Sequence, residues 1–280
     1  MDGPRSRSRT LRLSMSSLGK VSMRKLRKRL REHIARPLLQ RPYRLLYRVA
    51  LAGMNYGGAG SSASSGDLVA LQRIAANRDR QSVVLDVGAN VGTYLGQVLA
   101  TLGTNTRVFA LEPSRTAFEA LERRFGGTPG VQLSRVGVGA VPGRATLWGS
   151  QAGSVLASIY PSGNESGGGE DIEVVTIDEF CAARQIEQID LLKLDVEGAE
   201  LDALRGARGL LERGAIGMVQ FEFGQPSLGA RTFFADLFHL LAPQYEIYRV
   251  LPRGLERIEA YHETLEVFMS TNYLAIVRGS

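Results

Sequence analysis

The sequence predicts an α/β fold with a doubly wound, seven-stranded, mostly parallel sheet that ends in an antiparallel C-terminal hairpin. Three observations predict it. Val83–Tyr94 (VVLDVGANVGTY) reads as a buried strand, a glycine turn and a new helix. From residue 82 onward strand-like runs alternate with helical patterns, which implies a parallel sheet covered on both faces. The tail closes with two strand-like runs and no convincing helix between them.

In chain order, Asp67 can N-cap a short helix through Ile74. The first strand covers 82–87, with apolar residues around Asp86, and Gly88 and Gly92 bracket the turn. Leu95, Val98, Leu99 and Leu102 follow at the spacing of one helical face, predicting a helix over 93–102 that Gly103 can stop. Further strands are expected at 107–112, 131–136, 189–195 and 216–223. Helices are expected at 115–125, 178–186, 199–212 and 228–241. Tyr245–Leu251 and Asn272–Val277 supply the closing pair of strands. The segment 149–170 is rich in Gly and Ser; it reads either as a binding loop or as a surface insertion.

The turn after the first strand carries the first chemistry. Glycine lets a ligand approach the backbone, and the new helix aims free N–H groups at it. The spacing Gly88-x-x-x-Gly92, with Asn90 between, lacks the third glycine of the dinucleotide fingerprint. Glu112 ends the next strand and can accept hydrogen bonds from two ribose hydroxyls. The competing reading is an ordinary strand–helix–strand unit in which Glu112 only caps the helix starting near Ser114.

The second informative stretch is Ile189–Glu200 (IDLLKLDVEGAE). A central parallel strand should be almost wholly apolar. Instead Lys193 sits inside it and Asp195 at its end. Lys193 is expected to form a structural pair with a carboxylate, with Glu200 in the first turn of the next helix. Asp195 and Glu197 fall where ligands bind, beyond the carboxyl ends of the strands.

Bulk composition excludes several functions. Among 280 residues, 44% are hydrophobic and 22% charged, which suits a globular core. The one cysteine, Cys181, forbids an intrachain disulfide and fits a reducing, cytoplasmic compartment. His33, His239 and His262 are scattered, so no metal site is expected. The net charge of +6 is uneven. Residues 1–48 hold 15 Lys/Arg against Asp2 and Glu32, or +13; residues 49–280 hold 19 against 26 acids, or −7. The acidic body does not look like a nucleic-acid surface.

Residues 1–52 read as a basic extension without a secretion signal or membrane span. Residues 1–22 are expected to be disordered. Residues 23–36 are expected to form a basic helix with Leu26, Leu30 and Ile34 on one face, broken by Pro37 and Pro42. Leu45, Leu46 and Val49 start a second apolar face. The extension reads either as a helix for an anionic membrane surface, through residues 1–50, or as a solvated segment that packs on the domain. Residues 53–66 read as a flexible joint, and 67–280 as the compact domain.

The chain resembles the FkbM-family methyltransferases over residues 83–277. The resemblance rests on Leu85–Thr93, Ala110–Ser114, Ile189–Glu200, Val219–Phe223 and Asn272–Ala275; Lys193–Glu200 (KLDVEGAE) is its most specific piece. It implies a Rossmann-like class I methyltransferase using S-adenosylmethionine, often on a hydroxyl of a sugar or natural product. It places Asp86 and Gly88 against the methionine part of the cofactor and Glu112 on the ribose, with Asn90, Gly92 and Thr93 completing the turn. The turn after the third strand reads VGVGAVP where relatives often carry a polar Ser/Asp pair, which leaves backbone groups of Gly139 for the adenine. For catalysis Asp195 comes first as base or orienting group, then Glu197 and Glu222. Two rivals stand beside this reading: an NAD-dependent reductase or epimerase, and a non-catalytic membrane or RNA adaptor.

Overall fold

The computed structural model describes residues 28, 31–59, 66, 68–76, 80–149, 157–160 and 169–279. Asp67, residues 1–27 and most of 149–170 lie outside them, so the expectations for those stretches are not addressed. The chain divides into two units, Met1–Leu51 and Ala52–Ser280.

The first unit holds a 3-10 turn, Pro37–Leu39, and most of helix α1 (Gln40–Gly53). Residues 31–34 are helical and the chain leaves the helix at Ala35–Arg36, before Pro37. Pro42, expected to break the chain, sits in the first turn of α1. Proline is tolerated there because an N–H at that position has no intrahelical acceptor.

The second unit contains helix α2 (Leu68–Ala76) and then strand β1 (Ser82–Val87), helix α3 (Thr93–Leu102), strand β2 (Thr106–Leu111), helix α4 (Arg115–Phe125) and strand β3 (Val131–Ser134). Strands β4 (Gly137–Val138), β5 (Gly143–Leu147) and β6 (Glu170–Val175) follow. Next come α5 (Ile177–Ala183), β7 (Ile189–Leu194), α6 (Glu200–Arg205), α7 (Arg208–Glu212) and β8 (Ile216–Phe223). The chain ends through α8 (Pro226–Gly229), α9 (Phe234–Leu241), β9 (Tyr245–Leu251), β10 (Gly254–Ile258) and β11 (Thr271–Val277).

The main sheet runs β10-β9-β11-β8-β7-β1-β2-β3. Strands β3, β2, β1, β7 and β8 are parallel. Strand β11 runs antiparallel between β8 and β9. All seven expected strands are present, and the eighth, β10, is a short edge strand hairpinned on β9. Chain direction across the sheet reverses between β1 and β7, which creates the crevice at their carboxyl ends. Two apolar clusters cover the two faces of the sheet: Leu85, Leu192 and Phe221 belong to one, Val84, Leu95 and Leu191 to the other.

Three features depart from the sequence reading. The helices expected at 199–212 and 228–241 are each two short helices. A second sheet, β4-β6-β5, takes the turn after the third strand, two stretches to which the reading gave no element, and the last residue of the Gly/Ser-rich segment. The segment expected as a flexible joint packs in part on the C-terminal strands: Asn55 Nδ2 donates to the Val250 carbonyl at 3.0 Å, and the Ala59 N–H donates to that of Ser270 at 3.2 Å.

Gly88 has φ +80°, and a Cβ there would lie 1.8 Å from the Asp195 carbonyl oxygen. This glycine therefore serves the meeting of two backbones, where the sequence suggested room for a ligand. Gly88→Ala should cost on the order of 3 kcal/mol or more, because the obstacle is backbone and the φ is left-handed. Gly127→Ala, at φ +79° with open space around it, should cost about 1 kcal/mol. Urea unfolding of the two variants gives the comparison; equal losses would remove the close approach as the cause.

Candidate active site

A cleft opens at the carboxyl ends of β1, β2 and β7. Gly88, Asn90, Glu112, Ser114, Asp195 and Glu197 supply its polar lining, and Val138, Leu147, Ala157, Ile159 and Ile172 an apolar wall. Apart from Val138, which belongs to the larger core, that wall is part of the small core of the second sheet, where Leu147, Ile172 and Val174 pack with Ala157 and Ile159.

Glu112 is almost wholly buried. One carboxylate oxygen accepts the Asn90 N–H and the other the Ser114 N–H, each at 2.8 Å. Ser114, not Glu112, is the N-cap of α4, through the Ala117 N–H. Burial raises the Glu112 carboxyl above its ordinary range, against the pull of the two backbone bonds. Each carboxylate oxygen has lone-pair capacity beyond its one backbone bond. A carboxylate beside an apolar wall fits a nucleoside: hydroxyls of a ribose on Glu112, and a flat base against Val138, Leu147 and Ile172.

On β7, Lys193 is buried and its Nζ lies 2.8 Å from Asp195 Oδ2 and 4.9 Å from the centre of the Tyr94 ring. The expected carboxylate partner of Lys193 is thus Asp195. Asp86 is fully buried and in register with Lys193; it does not line the cleft. The Asp195 N–H donates to the Val87 carbonyl at 3.0 Å, continuing the β1–β7 pairing past the strand ends.

Glu197 follows in a left-handed turn, φ +50°. Burial, and then the nearby carboxylates of Asp195, Glu222 and Glu200, push its carboxyl up to about 8. Glu200 is buried and accepts the N–H groups of Val196 and Gly198 at 3.2 and 3.3 Å; burial pushes it up to about 7 despite those bonds. Asp195, Glu197, Glu200 and Glu222 line one small depression, and Asp195 and Glu197 also line the cleft. No group of three or more His, Cys, Asp or Glu suited to a metal occurs among the described residues.

Residues 157–160 close one side. Trp148 and Ser158 exchange backbone hydrogen bonds at 2.8 and 3.0 Å. The Ser158 hydroxyl donates to the Glu197 carbonyl at 2.6 Å, and the Tyr160 hydroxyl to the Asp202 carboxylate. This described part of the 149–170 segment is therefore a wall of the cleft. Sequence reasoning missed Ser158, because nothing distinguishes it from the other serines of that segment.

Besides Asp86, three expected residues stand apart. A Cβ on Gly92 would strike Leu121 and Phe125, so this glycine serves the packing of α3 against α4. Thr93 opens α3 and does not line the cleft. The cleft reaches Val136, Gly137 and Val138 but not Gly139, whose N–H is taken by the Val175 carbonyl.

The family model described as "Methyltransferase FkbM domain" matches residues 86–250. The hexuronic acid methyltransferase AglP of Haloferax volcanii is 27% identical over 135 residues, 48% of this chain; the chain spans 53% of AglP's own length. The 2-O-methyltransferase NoeI of Sinorhizobium fredii is 25% identical over 188 residues, 62% of this chain and 76% of NoeI. Among solved structures, Aeropyrum pernix fibrillarin with natively bound S-adenosyl-L-methionine is 13% identical, covers 70% of this chain and 67% of its own, and has a TM-score of 0.40.

The raised carboxyls fix a pH dependence. Folded Glu197 and Glu200 hold protons that an unfolded chain, at the ordinary value of 4.5, releases. The native state binds more protons between about pH 4.5 and about pH 8, so stability falls as pH rises through that window. Each group contributes up to about 1.4 kcal/mol per pH unit inside it. Glu197→Gln should reduce the drop in unfolding free energy between about pH 5.5 and about pH 8.5. An unchanged drop would mean that Glu197 titrates normally.

Proposed function

Because the chain belongs to the FkbM methyltransferase domain family, and so is a methyltransferase using S-adenosylmethionine, we propose that it methylates a hydroxyl of a sugar or natural-product acceptor, giving an O-methyl ether. The printed activities of AglP, on a hexuronic acid, and NoeI, a 2-O-methyltransferase, support a glycan acceptor. One observation carries the reading: a single cleft holds both Glu112, fixed by two backbone N–H groups, and a Glu197 carboxyl pushed up to about 8.

Bound there, the cofactor would supply an electrophilic methyl group on a sulfonium, its S–CH3 bond breaking to leave a neutral thioether. Glu112 would accept hydrogen bonds from the ribose hydroxyls, and the Gly88–Asn90 backbone would form the bed for the methionine end. The acceptor oxygen must lie behind the methyl group, and that alignment supplies much of the acceleration. The acceptor hydroxyl loses its proton as the new bond forms. Glu197 takes it: a carboxylate whose protonated form loses its proton near pH 8 is a far better base than one at 4.5. Asp195, ion-paired with Lys193, orients the acceptor. This order reverses the sequence-based ranking, which set Asp195 ahead of Glu197; the reason is the ion pair, which occupies Asp195. Glu222 borders the same acidic depression.

Glu197→Gln should spare S-adenosylmethionine affinity and lower turnover by roughly 10²–10⁴-fold. The wild-type rate should rise with pH to a plateau above about 8, and the variant should lack that limb. Full turnover in folded Glu197→Gln would move the base to Asp195 or Glu222. Glu112→Ala should weaken cofactor binding about tenfold or more, since a charge-assisted hydrogen bond contributes roughly 1.5–3 kcal/mol. Calorimetric titration, with circular dichroism as the fold control, decides this; parental affinity would take the ribose off Glu112.

A further inference from the structure

Helix α1 has an organisation that methyl transfer does not use. Its 14 residues, Gln40–Gly53, are amphipathic. Projected at about 100° per residue, Leu45, Val49, Pro42 and Leu46 fall within one arc of about 100°. Leu45, Leu46 and Val49 are 63%, 62% and 61% exposed, and Leu38, in the turn before, is 90% exposed. Arg41, Arg48 and Arg44 border this arc on one side, and Tyr43 and Tyr47 border it on the other. All five are exposed.

Each element of this pattern points to the same partner chemistry. An apolar arc favours a hydrocarbon boundary. Arginines beside it can lay their stems along the apolar layer and keep the guanidinium at phosphate level. Tyrosines on the other border suit the headgroup region, where one end of the ring is apolar and the other wet. At 1.5 Å per residue the helix is about 21 Å long, too short to cross a bilayer of about 30 Å. Among the described residues no helix is long and apolar enough to cross a membrane. The charge agrees: 15 Lys/Arg and two acids in residues 1–48 favour an anionic surface.

We propose that the Leu45–Leu46–Val49 face of α1, bordered by Arg41, Arg44 and Arg48, seats the enzyme on an anionic lipid bilayer, with the helix lying in the headgroup plane. Helix α1 then acts as a membrane-facing element of the methyltransferase. The competing occupant is a second copy of the chain, meeting the same face.

The test uses the full chain and vesicles of phosphatidylcholine with or without phosphatidylglycerol. Co-sedimentation should be at least tenfold stronger with phosphatidylglycerol present. The triple variant Leu45→Gln, Leu46→Gln, Val49→Gln keeps good helix formers and should lose at least tenfold in vesicle binding. Arg41→Glu, Arg44→Glu, Arg48→Glu should lose binding to phosphatidylglycerol vesicles in particular. S-adenosylmethionine affinity should be unchanged in all three proteins. Undiminished binding by the Gln variant would overturn the proposal and leave the basic residues alone as the attachment. A soluble dimer that ignores vesicles and becomes a monomer in the Gln variant would assign the face to a second copy. Failure of either kind leaves the cleft reading intact, since cofactor binding is read separately.

Discussion

The rest of the structure depends on one close approach, between the turn leaving β1 and the turn leaving β7. Gly88 and the Asp195 carbonyl stand so near that no side chain fits between them. The Asp195 N–H pairs with Val87 just beyond the strand ends. These contacts lock the two turns that carry Asn90 on one side and Glu197 on the other. Asn90 then donates its N–H to Glu112, just past the end of β2, whose other oxygen accepts the Ser114 N–H. The functional groups are thus fixed to one another through backbone, the least adjustable part of the chain. A displacement of 1 Å can cost a hundredfold in rate, so such rigidity has a use.

The same region carries a polar stripe through an otherwise apolar sheet. Asp86, Lys193 and Gln220 lie in register across β1, β7 and β8, and all three are buried. Beyond the strand ends, Asp195, Glu197, Glu200 and Glu222 crowd the same depression. Charges placed so close in a partly dry site cannot all persist. The crowding resolves by leaving protons on Glu197 and Glu200, the two whose carboxyls are pushed highest. Asp195 Oδ2 lies instead 2.8 Å from Lys193 Nζ. Separate roles for neighbouring carboxyls arise from their surroundings rather than from their residue type.

Much of this was legible in the sequence where local chemistry and burial agree. The helices at 93–102 and 115–125 have the expected ends because glycines stand at both ends of the first and beyond the second. Asp195 and Glu197 stood out because charges following an apolar strand have few other uses. The second sheet was hidden. Strand β4 is two residues long, and β5 and β6, its antiparallel pair, are separated by the Gly/Ser-rich segment. Edge strand β10 was masked by its Glu and Arg, which suit a half-exposed border. The reason for Gly88 was not legible either, since a glycine kept for a ligand and one kept for another backbone read alike. The Ser158 bond to the Glu197 carbonyl needs the fold to bring the two together.

The antiparallel pairing of β5 with β6 has a bearing on how such an enzyme diversifies. Its register from Gly143–Val174 to Leu147–Glu170 pins both ends of the chain between them. Once those ends are fixed, the entropic cost of extra residues grows only logarithmically, about 0.6 kcal/mol for each doubling of length. Insertions and deletions there can therefore reshape the wall that Ala157 and Ile159 present, at little cost to folding. The two turns joined at Gly88 and Asp195 lie on other elements, and the segment meets the second of them through the Ser158 bond to the Glu197 carbonyl. The outline of the cleft wall can in this way drift while the backbone contact between Gly88 and Asp195 stays as it is.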